Sequence, residues 1–358
     1  MVVDWGNGGT GQRRTRSGPN YRTVTSLIEG LREKVFGGLP PEEFAVAPEP
    51  WGSFAFRPGD VTVLAAPPGE GKTAFAAQAT FDAMRLSSNA SCLFLNVEMT
   101  PEKILERQLS RLSGVPFEQI SRCEILPGQR DVLDAAFATL ESIGDQMVFM
   151  GPPFSIEHVV EAVAEVQPKI LVLDYLQRIE CCDGVADTRV RLNTVMHESR
   201  IIANAGVSVF LISAVGRTQS KKGGGYNANE LGMGSFRESS EVEYGADDAY
   251  VMVSEGGVDK ATGCRTVVMR HVKSRNHRQQ DIRLEFDGSI QRFTLLPDRE
   301  DDYGDDDEGG DEEHRASAWV VSPEDVRRNG GLNLLPGTSR ALPDPFDFGS
   351  DEREQPTG

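Results

Sequence analysis

The chain has 358 residues, 39% of them hydrophobic, with a mean hydropathy of −0.35; this is ample for a sizeable core, and no apolar run of about 18 residues is present to cross a membrane as a helix. The formal net charge of −18 argues superficially against nucleic acid, yet from residue 296 onward 18 acids face 6 bases, leaving only −6 for the other 295 residues. The acidity is a property of the tail and says little about what the folded part binds.

Residues 1–21 read as a disordered basic leader, rich in Gly, Arg and Asn. They lack an apolar segment of signal-peptide length, so a cytoplasmic location is expected. Residues 22–50 begin with RTVTSLIEGLREKVF, where Val24, Leu27, Ile28, Leu31 and Val35 predict a short amphipathic helix. Pro40, Pro41, Pro48 and Pro50 then make an irregular connector. From 51 to 296 short apolar runs alternate with helical stretches. VTVLA (61–65) reads as a strand, then a Gly/Pro loop, then a helix from Thr73. CLFLNV (92–97), MVFM (147–150), ILVLD (170–174) and VSVFLIS (207–213) read as further strands. Helices are expected from near Pro101, over 131–142, over 155–166 and over 189–205. Nearly continuous apolar strands in βα alternation imply a mostly parallel, buried central sheet with helices on both faces. After 248 the runs AYVMV, CRTVVMRHV and IRLEF predict antiparallel strands finishing the sheet. Residues 297–358, with the block DREDDYGDDDEGGDEE, are an acidic, Pro/Gly-rich tail expected to be disordered. Cys92, Cys123, Cys181, Cys182 and Cys264 are odd in number and show no CxxC spacing. Reduced thiols are therefore expected rather than disulfides or a zinc site.

The loop APPGEGKT (66–73) fits the phosphate-loop template GxxxxGK[ST] except that Ala66 replaces the first glycine. It stands where that chemistry needs it, between a strand and a helix. Pro67, Pro68, Gly69, Glu70 and Gly71 would let successive N–H groups point at phosphate oxygens, and the helix N-terminus adds partial positive charge. Lys72 would reach the β- and γ-phosphates of ATP, and Thr73 would hold Mg²⁺. Asp174 ends a buried strand, which suits a ligand of Mg²⁺ or its water. Glu98 ends the strand after the phosphate-loop helix, placed to polarise the attacking water as general base.

At this point the residues match a family. FRPGDVTVLAAPPGEGKTAFA, LNVEMT, ILVLDYLQ, FRESSEVEYGADDAYVM and KSRN, in that order, resemble the C-terminal motor domain of DnaB-like replicative helicases over about 50–296. The resemblance implies a RecA-like P-loop NTPase fold, α/β with a mostly parallel sheet, and a hexameric ring translocating 5′ to 3′ on single-stranded DNA. It implies that Lys273 and Arg275 reach the γ-phosphate bound by a neighbouring subunit, as an arginine finger does; a solvated edge strand with alternating charges is the plainer reading of these two. By the same resemblance Arg217, Arg237, Glu238 and Ser240 face DNA, and Lys221 and Lys222 add charge for phosphate contact; a surface loop without that role is the alternative. A primase or a helicase loader is an implied partner. The sequence departs from the family pattern at Ala214, where a glutamine usual in the family is absent, at Ser240 in place of a glycine, and at Asn276-His277-Arg278. The family's N-terminal helical domain is not seen, and the helix near 22–36 corresponds to its linker helix. A RecA-like ATPase serving as a replication or recombination accessory, without unwinding, is the second reading, favoured by Ala214. The acidic tail is expected to solvate the chain, or to compete with DNA for the basic loops.

Overall fold

A computed structural model of the chain describes residues 23–38, 40–46, 51, 54–181, 187–215, 245–259 and 261–297. The basic leader, Cys182, the expected DNA loops and the acidic tail lie outside the described residues.

Helix α1 (Val24–Gly37) forms where its apolar spacing predicts, capped by the Thr23 hydroxyl accepting from the Ser26 amide at 3.2 Å. None of its side chains is buried among the described residues. Strands β1 (Phe44–Ala45) and β2 (Ala55–Phe56) pair as a short antiparallel ribbon. Phe54 beside them meets Phe56, Phe75, Phe210 and Tyr250 edge-on at ring separations of 5.3–5.6 Å. This fixes the connector against the core through the edge-to-face geometry that aromatic rings favour.

The main sheet has nine strands. In chain order its parallel part uses β3 (Val61–Ala66), β4 (Cys92–Asn96), β5 (Met147–Met150), β6 (Ile170–Asp174), β7 (Ser208–Ala214) and β8 (Asp248–Glu255). Then come β9 (Cys264–Ser274), β10 (Ile282–Asp287) and β11 (Arg292–Leu295). The spatial order is β11-β10-β9-β8-β3-β7-β6-β4-β5. The antiparallel extension expected after residue 248 is present, with β8 as its joint: parallel to β3 and antiparallel to β9. The fold is therefore the α/β, RecA-like arrangement the motifs imply.

The strands read as unbroken apolar runs because both faces are covered. Alternate side chains of β3 serve two cores. Val61, Val63 and Ala65 join the cluster under α6 (Ile156–Val166) and α7 (Thr188–Asn204). Leu64 and Ala66 join the cluster under α2 (Lys72–Leu86). Helices α3 (Pro101–Ser113), α4 (Phe117–Ser121) and α5 (Arg130–Glu141) build a smaller satellite core. No helix among the described residues is long and apolar enough to cross a membrane. The described cysteines, Cys92, Cys123, Cys181 and Cys264, are free thiols.

Candidate active site

Strand β3 ends at Ala66, the chain turns through 67–71, and α2 begins at Lys72. Gly69 and Gly71 sit at φ 84° and 88°, the left-handed region glycine enters without a Cβ clash. Gly71 is also pressed by a neighbour: a Cβ there would lie 2.9 Å from Phe293 Cζ. The Lys72 ammonium donates to the carbonyls of Ala66 and Pro67 at 2.9 and 3.0 Å. Burial pushes its pKa below the usual lysine value, while the carboxylates of Asp174, Glu98 and Glu70 act to hold it up.

Glu70, in the same loop, has its charge engaged from outside the cleft. Its carboxylate accepts from the Ser254 hydroxyl and lies 3.8 Å from Arg265. Arg265 also donates to the Gly69 carbonyl at 2.7 Å and stacks over the Phe286 ring at 5.1 Å. The start of β9 thus braces the loop from outside.

Asp174 closes β6 beside Asn96 of β4, its register partner. It is 2% exposed. Burial pushes its pKa up to about 6, Glu98 adding to the rise, while hydrogen bonds from Thr73 and Asn96 and the charge of Lys72 oppose it. Asn96 ties the two acidic segments together. Its amide donates to Asp174 Oδ2 at 2.6 Å, and its Oδ1 accepts from the amides of Glu98 and Met99 at 2.9 and 2.6 Å. Glu98 lies two residues beyond β4, exposed at the mouth of the cleft.

These groups line one cleft of about 420 Å³ at the carboxyl end of the sheet. Pro68, Gly69, Gly71, Lys72, Thr73, Glu98 and Asp174 all border it. Position on a strand-end or strand-to-helix loop explains the convergence, since parallel strands deliver their carboxyl termini to a common edge. Sequence reasoning did not single out several residues that border the cleft or hold its acids. Asn96 is one; Arg107, Phe286 and Gln291 line the wall. Arg107 is half-buried, its pKa lowered by desolvation and supported by Asp174. The polar Asn96 at the end of an apolar strand was a signal available in the sequence. Phe286 and Gln291 flank a turn at least 213 residues from the 66–73 loop in the chain, and nothing local marks them.

Lys273 and Arg275 are not at this cleft. Lys273 pairs with Ala249 across β8–β9, and the Arg275 amide donates to the Asp247 carbonyl at 3.0 Å. Asp247 in turn bonds Val61, the first residue of β3, whereas the phosphate loop follows its last residue. At about 3.3 Å per residue the two ends of β3 are about 17 Å apart. Arg217, Lys221, Lys222, Arg237, Glu238 and Ser240 lie outside the described residues. Ala214 borders the cleft with no side-chain amide of its own. Gln177 grips this strand end instead, donating to Ser213 Oγ at 2.9 Å and to the Ala214 carbonyl at 3.3 Å, and accepting from the Ala214 amide at 3.2 Å.

A model of the DnaB-like helicase C-terminal domain family matches residues 54–295. A probable plasmid replicative DNA helicase of Chlamydia psittaci is 26% identical over 200 residues, 53% of this chain and 41% of that protein. The replicative DNA helicase DnaC of Bacillus subtilis (strain 168) is 23% identical over 263 residues, 70% of this chain and 55% of that protein. The chain thus spans about half the length of these relatives. Among solved structures, the ATPase domain of G40P superposes with a TM-score of 0.63 at 16% identity, covering 77% of this chain and 99% of that one. A DnaB-like replicative helicase, described with its interactions with primase, superposes with a TM-score of 0.64 at 17% identity, covering 77% of this chain and 69% of that one.

Proposed function

We propose, from the premise that the chain belongs to the DnaB-like helicase C-terminal domain family, that it is an ATP-hydrolysing motor acting on single-stranded DNA. The observation that carries the reading is the meeting of Lys72, Thr73, Glu98 and Asp174 at one cleft from three separate points in the chain.

The roles follow from chemistry. Main-chain amides of 69–73 and the α2 N-terminus cradle the β-phosphate. Lys72 exchanges its two carbonyl partners for phosphate oxygens, a better match for a cation. Thr73 and Asp174 supply one hydroxyl and one carboxylate, the sparse oxygen set that suits Mg²⁺ when nucleotide phosphates and water complete the shell. Bound there, Mg²⁺ would neutralise charge on the β- and γ-oxygens. Glu98, whose segment Asn96 holds beside Asp174, orients and deprotonates the attacking water. Arg107 adds positive charge on the same wall. Gln291 offers an amide at the far wall, suited to the nucleoside end, beside the buried Phe286 ring.

Lys273 and Arg275 are too far away to serve their own cleft. Their place at the opposite ends of the strands supports a trans role, each pair completing the site of the next subunit in a hexameric ring. Arg217, Lys221, Lys222, Arg237, Glu238 and Ser240 are assigned to DNA, 5′-to-3′ movement to the motor, and a primase or loader to the partner list, by likeness to the family alone. The second reading, an accessory ATPase that does not unwind, is favoured by Ala214, which brings no side-chain amide to the cleft.

The test is ATP turnover by the full chain with Mg²⁺. Lys72→Ala and Glu98→Gln should each lower it by at least about a hundredfold, the scale of removing a group that acts in the transition state. Undiminished turnover in Lys72→Ala would overturn the assignment. Turnover without strand separation of a forked duplex would select the accessory reading.

A further inference from the structure

At the ends of the strands opposite the nucleotide cleft, β3, β8 and β9 bring three carboxylates together with several cations. Asp248 is engaged by His271, 3.0 Å away and buried, and by Ser274. The Gln280 amide donates to His271 Nδ1 at 3.2 Å, so the ring's proton sits on Nε2 and points at Asp248. Asp60 is partly shielded and close to the other two acids. Asp247 does something else. Its carboxylate is 5% exposed and fully used: Oδ2 accepts from the Val61 amide at 2.8 Å and from Arg200 at 2.7 Å, and Oδ1 accepts from Arg275 at 3.1 Å. The Arg200 side chain also donates to the Gly245 carbonyl at 2.5 Å.

Three consequences follow. The carboxylate is anchored to the β3 backbone, so it cannot follow Arg275 outward. Arg275 is 50% exposed, so part of its guanidinium is presented to the outside while one nitrogen is held. Its backbone is pinned separately, by the amide bond to the Asp247 carbonyl at 3.0 Å. Loss of the Asp247 charge would therefore weaken the hold on the guanidinium without releasing the strand.

We propose that Asp247 is a positioning residue for the trans-acting arginine: it pre-orients Arg275 so that the neighbouring subunit's γ-phosphate meets an already aimed guanidinium. This rests on the trans reading of Arg275. The physical reason is entropy and aim. A half-exposed arginine loses rotamer freedom when it engages, and holding one nitrogen beforehand leaves less to lose. A misplacement of about 1 Å at a reacting centre costs up to about a hundredfold in rate. Asp247→Asn preserves shape and an acceptor for Val61 but removes the ionic hold on two arginines.

The test uses full-length chains and basal ATP turnover without DNA, which limits poisoning of mixed assemblies. Asp247→Asn should lower kcat about 10- to 100-fold, with KM for ATP within about twofold, because a finger acts on the transition state rather than on ground-state binding. Mixing it with excess Lys72→Ala chain, whose own cleft is dead but whose Arg275 and Asp247 are intact, should restore turnover by the Asp247→Asn clefts. An architectural role within the subunit would leave those clefts slow despite wild-type neighbours, and that result overturns the proposal, as does a normal kcat for Asp247→Asn alone. Arg275→Ala with the same donor separates the two levels. If Arg275→Ala turns over normally, or is slow and not rescued, the trans reading itself fails. If it is rescued while Asp247→Asn behaves as wild type, only the role of Asp247 fails. Should Asp247→Asn melt early, Asp247→Asn/Arg200→Gln removes the surplus cation and is measured in its place, with the same outcomes.

Discussion

Asp174→Asn should stabilise the nucleotide-free protein while it abolishes turnover. The carboxyl is 2% exposed and its pKa rises from 3.8 to about 6. That displacement of about two pH units, at about 1.4 kcal/mol each, makes ionised Asp174 cost about 3 kcal/mol of folding stability at neutral pH. The sign follows from linkage. Because the folded pKa lies above the unfolded value, the folded state binds the proton more tightly, and the penalty is absent below about pH 4. It grows as pH rises toward 6 and is constant above that. An uncharged isostere removes it, keeping the contact with Asn96 through the side-chain oxygen. Urea denaturation of wild type and variant at a series of pH values, without nucleotide or Mg²⁺, reads the difference. The variant should be more stable by about 3 kcal/mol at pH 7, with the gap closing near pH 4. A variant less stable than wild type at pH 7, or a gap independent of pH, would refute the claim that an ionised, desolvated carboxylate is stored at this strand end. Such storage is what a cation site requires, since added charge there relieves a cost already present.

Asn96→Leu removes the acceptor of two amides and a donor to Asp174 at once; it should lower stability by about 2–3 kcal/mol in urea denaturation and slow turnover by displacing Glu98. Arg107→Ala should weaken binding of a fluorescent ATP analogue about 10- to 100-fold, the scale of losing one charged contact in a part-buried site. Gly71→Ala places a Cβ at φ 88° and 2.9 Å from Phe293. It should cost about 1–2 kcal/mol from the backbone alone, seen as a lowered melting temperature, and should weaken nucleotide binding as the loop and the Phe293 ring shift.

Much of the fold was legible because both faces of the sheet are buried. Apolar runs that close on a polar residue, such as the four of ILVLD before Asp174, read as buried strands in a chain with this βα spacing, and the ends of such runs pointed to Glu98 and Asp174 without any tertiary knowledge. The strand–loop–helix unit around 66–73 was legible for the same local reason: its glycines, lysine and threonine stand within one turn of chain. What was not legible is what acts across the chain. Arg265 braces the loop from β9, and Phe286 and Gln291 reach the cleft from the β10–β11 hairpin, contacts set only by strand order. Asp247 and Asp248 are neighbours in sequence, one just before β8 and one at its start, yet one binds arginines and the other a histidine; their partners depend on how β8 sits against β9. The role of β8 as the joint between parallel and antiparallel halves is likewise a matter of neighbours, since its own residues read as an ordinary buried strand.

The central claim is that this cleft drives a motor coupled to a nucleic-acid strand. The most direct measurement is the rate of ATP hydrolysis by the full chain with Mg²⁺ as single-stranded DNA is titrated in. The rate should rise several-fold and saturate, and the rise should vanish in Lys72→Ala. A rate flat across the titration, in protein that still hydrolyses ATP, would contradict it.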